Sequence, residues 1–146
     1  SPLISVATLQ SWVAAKRSMV LFDTSFDLMD PQKGPNGYAE VHIAGARYAN
    51  LNEVLSAHSA AQAVNAGRHP LPQREIFAAW LGSQGVANDT DVVVYDRNGV
   101  NYAGRLWWML RWYLDRADEI AQADSLAKHP DMASIAGITH SVGRRT

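Results

Sequence analysis

The sequence predicts an α/β domain with a mainly parallel sheet, and three observations carry that expectation. Residues 19–22 and 92–95 are short, continuous apolar runs that end at Asp23 and Asp96, the pattern of strands buried on both faces. Segments of helical periodicity precede, separate and follow them. Apolar residues make up 47% of the 146 positions and charged residues 18%, enough to build a core and too apolar for a disordered chain.

The elements follow in order. Ser5 can cap a helix over residues 6–17, where Leu9, Trp12 and Val13 repeat at helical spacing. A buried strand is expected at 19–22. Residues 30–37 hold two prolines and two glycines and read as a loop. One helical turn is expected at 38–41, a short strand at 46–49, a short helix at 51–57 and a loop at 65–72. Residues 73–84 form a helix with Ile76, Phe77, Trp80 and Leu81 on one stripe, stopped by Gly85. A turn at 88–91 leads into the clearest strand, 92–95. A loop over 97–101 and a helix from Tyr102 to about Leu114 follow. That helix carries Ala103, Leu106, Trp107, Leu110 and Leu114 as its core stripe, with Trp108 and Trp112 on the opposite side near Arg105 and Arg116. Beyond it, 117–128 is helix-prone, Pro130 breaks the pattern, and 134–140 reads as a weak strand.

Composition excludes several function classes. Thirteen basic and 14 acidic residues give a net charge of −1, which argues against a nucleic-acid or anionic-membrane binder. The absence of cysteine removes disulfides, thiolate metal sites and thiol nucleophiles. No apolar run is long enough to span a bilayer and no signal-peptide pattern opens the chain, so a cytoplasmic location is expected. Neither a Gly-x-Ser-x-Gly elbow nor a P-loop is present.

In open α/β sheets chemistry sits beyond the carboxyl ends of the strands, which points to Asp23 and to residues 96–101. A strand running into a tight loop and a helix N-terminus makes a cradle of backbone amides that favours an anion. Asp96, Arg97, Asn98, Gly99, Val100 and Asn101, with Arg105, are the candidate anion-loop residues; Gly99 supplies a positive φ and the two arginines are available for charge-assisted hydrogen bonds. Asp96 is read as structural, bonded to loop amides. His42 is expected to bond nearby backbone, and His69 is a loop residue near the mouth of the cradle. His58, His129 and His140 show no pairing. Asp27 and Asp30 are too loosely spaced for a metal, and Arg144 and Arg145 are too few for a nucleic-acid tail. No cofactor and no metal are expected. Trp108 and Trp112 are interface candidates, for a homo-oligomer or under the folded-back tail.

Read together, several segments are specific. They are Phe26-Asp-Leu-Met-Asp-Pro-Gln32, Tyr38-Ala-Glu-Val-His-Ile-Ala-Gly-Ala46, Gly67-Arg-His-Pro-Leu-Pro72, Val92-Val-Val-Tyr-Asp96 and Ala103-Gly-Arg-Leu-Trp-Trp-Met-Leu-Arg-Trp112. In this order they resemble the first rhodanese domain of the two-domain thiosulfate and 3-mercaptopyruvate sulfurtransferases, over residues 3 to 114. The resemblance implies a rhodanese-like, mainly parallel sheet of four to five strands with helices on both faces. It implies a division of labour in which a second domain carries the persulfide-forming cysteine and the first supports it. Asp96 stands at the position of that cysteine, so the chain is expected to be inactive alone. Active domains often carry Asp-x-Arg at the strand end where Asp23 stands; here Asp23 is followed by Thr24 and Ser25. The family's glycine turn and fifth strand after Trp112 are missing. The resemblance would place that strand inside the sheet, between the family's first strand and its fourth, which is 92–95 here, and 134–140 is the segment available to fill the slot, from the same chain or swapped from a partner. The chain thus divides into a rhodanese-like domain at 1–116 and a divergent tail at 117–146. The alternatives are a protein- or oxyanion-binding module acting through the 96–101 loop or the Trp108/Trp112 face and, last, an enzyme using Asp96 itself as acid or nucleophile.

Overall fold

The computed structural model describes residues 3–117, 132–135 and 138–142, with side chains through Tyr113. Five strands form one sheet in the order β2-β1-β3-β5-β4. They are β1 (Met19–Asp23), β2 (Arg47–Tyr48), β3 (Asp91–Tyr95), β4 (Met132–Ile135) and β5 (Ile138–Val142). The first three run parallel; β5 pairs antiparallel with β3, and β4 antiparallel with β5. The helices are α1 (Val6–Ala14), α2 (Lys33–Glu40), α3 (Arg74–Ser83) and α4 (Asn101–Ala117).

Side-chain alternation along β1 and β3 builds two cores, one on each face of the sheet. Phe22, Val92 and Val94 pack with Phe77 of α3 and with Ala103, Leu106, Met109, Leu110 and Tyr113 of α4. Leu21, Val93 and Tyr95 face the other way, against Ile4 and Leu9 of the α1 segment. Leu106, Met109 and Phe22 have no exposure at all, so truncating any one to alanine costs on the order of 2–5 kcal/mol. Helices therefore cover both faces.

Ser5 caps α1 by accepting the Thr8 N–H at 2.9 Å. The helix ends at Ala14, three residues earlier than expected, because Lys16 turns left-handed (φ 52°). Val13 of the expected stripe is half exposed. The proline- and glycine-rich stretch expected as loop is helical from Lys33. Pro35 sits in the first turn, where its missing N–H costs nothing, and Gly34 lies where a side chain has no room. Residues 51–57 form turns rather than a helix; Asn50 organises them, its carbonyl accepting from Val54 at 3.0 Å and its side chain from Asn52 at 2.8 Å. On α3, Phe77 is buried but Ile76 is nearly half exposed.

On α4 the core stripe includes Met109 and Tyr113 beside Ala103, Leu106 and Leu110, whereas Trp107 is only partly buried. The side chains of Leu114 and Arg116 lie outside the described residues, as do residues 118–131, which hold most of the expected tail helix and His129, the side chain of His140, and Arg144 and Arg145.

β1 and β3 pair directly over five residues, from Met19↔Asp91 to Asp23↔Tyr95. The weak strand expected at 134–140 belongs to two strands, and β5 pairs with the far side of β3 within the same chain, from Asp91↔Val142 to Tyr95↔Ile138.

Candidate functional site

Asp96 leaves the carboxyl end of β3 and turns its side chain into the loop that follows. Its Oδ1 accepts the N–H of Asn98 and of Val100, and its Oδ2 accepts those of Tyr102 and Ala103, all at 2.9 Å. Two of these donors belong to the first turn of α4, whose N-terminus carries positive partial charge. The loop can wrap one carboxylate because Gly99 and Val100 are both left-handed (φ 67° each). That conformation is free for glycine and costly for a β-branched residue, so the contacts to Asp96 hold Val100 there. Asp96 itself is only 4% exposed. The amide cradle therefore holds the protein's own acid.

The exit of β1 is stitched to this loop. Ser25 Oγ accepts the Arg97 N–H at 3.1 Å and Asn98 Oδ1 accepts the Phe26 N–H at 3.2 Å. Asp23, fully buried, accepts the Ser25 N–H at 2.8 Å through Oδ1, while its Oδ2 has no hydrogen-bond partner. Beside these residues lies an open bay of 390 Å³, bordered by Ser25, Asp27, Lys33, Glu40, Arg97 and Asn98. The Met29 N–H, with Lys33 nearby, holds the Asp27 carboxyl below the ordinary aspartate range.

The other candidate residues have separate employments. Arg97 directs its guanidinium to the Gly37 and Val41 carbonyls at the end of α2, not into the cradle. Arg105 donates to the Leu55 carbonyl at 2.6 and 3.1 Å and to the His69 carbonyl at 2.9 Å, fixing two loops against α4. Asn101 opens α4. His42 bonds the Tyr38 carbonyl through Nδ1 at 2.6 Å and stacks on the Tyr38 ring. His58 bonds the Glu53 carbonyl through Nε2 at 2.5 Å. His69 meets Asn52 at 3.1 Å, a pairing that the sequence spacing did not reveal; partial burial, Arg105 and Arg68 keep its pKa below the usual histidine value. Trp108 is 44% exposed and stacks on Trp112, whose other contacts reach the α4 core. Among the described residues no group of three His, Cys, Asp or Glu is placed to hold a metal, and no helix is long and apolar enough to cross a membrane.

Chemically, the loop presents neither a nucleophilic sulfur nor a free amide cradle. Sequence reasoning did not find the Ser25 and Asn98 stitches; the Asx pattern of Asp96-Arg-Asn98 was the available signal for a loop that bonds its own backbone.

Known proteins frame this geometry. The family model described as "Rhodanese-like domain" matches residues 5–137. The probable 3-mercaptopyruvate sulfurtransferase of Pseudomonas aeruginosa is 40% identical over 94 residues, covering 64% of this chain and 32% of that protein. Thiosulfate/3-mercaptopyruvate sulfurtransferase 2 of Arabidopsis thaliana is 37% identical over 122 residues, covering 78% of this chain and 34% of that protein. The 3-mercaptopyruvate sulfurtransferase structure from Leishmania major superposes with a TM-score of 0.64 at 27% identity, over 75% of this chain and 29% of that one. The chain spans about a third of the length of these relatives. The sheet, the strand-end loop and the sequence match along most of the chain agree, and this chain belongs to the rhodanese-like domain family.

Proposed function

We propose that this is a non-catalytic rhodanese-like domain that supports a cysteine-bearing sulfurtransferase domain and does not itself carry sulfur. One observation supports the reading most: the position where the family resemblance puts the sulfur-carrying cysteine is Asp96, and its carboxylate takes four loop amides. A carboxylate forms no persulfide, and its negative charge disfavours a thiosulfate dianion at the same amides. The sequence contains no cysteine that could substitute. Capture of an oxyanion is less well supported, since Arg97 and Arg105 bond carbonyls elsewhere. The relatives, roughly three times as long, are named as sulfurtransferases, which supports a supporting role beside a further domain.

The test is direct. Purified chain incubated with thiosulfate and cyanide is expected to yield no thiocyanate above buffer, and its intact mass is expected to gain no sulfur atom. Thiocyanate formation or a covalent sulfur adduct would overturn the reading.

A further inference from the structure

One edge of the sheet is only half paired. β1 meets β3 along all five residues but meets β2 only at Phe22 and Asp23. The Asp23 carbonyl accepts from Ala49 at 2.9 Å on the β2 side, whereas the Thr24 N–H goes to Tyr95 of β3. By the alternation of a parallel ladder, Met19 and Leu21 direct their backbone groups the same way as Asp23. β2 begins only at Arg47, so the Met19 backbone lies beyond its reach.

At this place the surface is concave, with a volume of 420 Å³. Its lining includes Val13, Lys16, Arg17, Met19, Leu21 and Arg47, and no acidic residue. Arg17 is paired with Asp91 and lies over the Trp12 ring at 3.8 Å. Lys16 and Arg47 make no ion pair among the described residues. Val13, 51% exposed, adds an apolar contact.

We propose that this edge receives an extended acidic segment of a partner polypeptide, which adds as a strand beside residues 19–21. Its backbone pairs with Met19 and with the Leu21 N–H, the Leu21 carbonyl being taken by Arg47 in the parallel β1–β2 ladder, its carboxylates face Lys16 and Arg47, and an apolar side chain covers Val13. The same cations repel a second identical edge, which favours an acidic partner over another copy of this chain.

The probe is an acetylated, amidated Glu-Val-Glu-Val-Glu peptide titrated into the full chain, read by amide chemical shifts and calorimetry. Binding is expected to shift Met19 and Leu21, to weaken with added salt, and to exceed that of Lys-Val-Lys-Val-Lys and of Glu-Pro-Glu-Pro-Glu, which keeps the charge but cannot form a strand. The double variant Lys16→Glu/Arg47→Glu is expected to bind the acidic peptide at least about tenfold more weakly and to take up the lysine peptide instead. Equal binding of all three peptides by the unaltered chain, or no shift at Met19 and Leu21, refutes the proposal without reference to the variant. Concentration-dependent protection of these amides without peptide would assign the edge to a second copy and equally overturn it.

Discussion

Two aspartates end adjacent parallel strands of one sheet, and the protein uses them differently. Asp96 accepts four backbone N–H groups; Asp23, one strand away and equally buried, accepts one and leaves an oxygen without a partner. The residue type and the strand-end position are the same. What differs is the chain that follows. After Asp96 two left-handed residues curl the loop and a 17-residue helix begins, so amides converge on the carboxylate. After Asp23 the chain crosses to Asn98 and Tyr95 instead. The number of donors a strand-end acid collects is thus set by the curvature of the next few residues.

Removing each acid is the strongest way to test this contrast. Asp96→Ala leaves four amides without an acceptor and is expected to lower unfolding stability by about 3–5 kcal/mol, read from urea denaturation. Asp96→Asn, which keeps one acceptor oxygen, is expected to lose about 2 kcal/mol, and Asp23→Asn less than about 1 kcal/mol. Equal losses at the two sites would break the comparison.

Alkaline pH probes the buried tyrosines. Burial raises Tyr48, Tyr95 and Tyr113 above the ordinary phenol value, Tyr113 to about 12, and the Asp23 charge adds to the rise at Tyr48 and Tyr95. Each folded pKa exceeds the unfolded one, so the contribution is complete below about pH 10 and is lost as pH climbs toward 12. Thermal melts are expected to fall progressively across that window, and Tyr113→Phe should flatten the fall; an unchanged melting temperature to pH 12 would contradict the burial.

Ser25→Ala and Asn98→Ala are each expected to cost about 1 kcal/mol, with a double variant less than additive, because both stitch the same two loops. Additive losses in a double-mutant cycle would show that the loops are held independently. The smallest effect concerns Val100. Replacing it by glycine relieves a left-handed β-branched residue and is expected to raise stability by about 0.5–1 kcal/mol; a loss would mean that its side chain matters more than its backbone.

How much of this was legible in the sequence follows from range. The strands at 19–22 and 92–95, the Ser5 cap and the helix from residue 102 depend on local pattern and were readable. The helical course of 33–37 was not, because Gly34, Pro35 and Gly37 are loop signals whose helical placement depends on contact with Ser25 and Tyr48. The Asp96 loop was readable as a cradle from its residues, but the targets of Arg97 and Arg105 lie 56 to 60 and 36 to 50 positions away and no local rule reaches them. The order of the sheet was likewise a tertiary choice between pairings that the strand sequences alone leave equivalent.

Gly34 has a consequence of its own. A methyl group at this position would run into the Ser25 carbonyl and the Tyr48 hydroxyl, which already bond each other at 2.7 Å. Any side chain would act as a wedge, levering α2 off the strand exit and pulling the Gly37 and Val41 carbonyls away from Arg97. The width of the bay between α2 and the Asp96 loop is therefore governed by a single missing carbon atom.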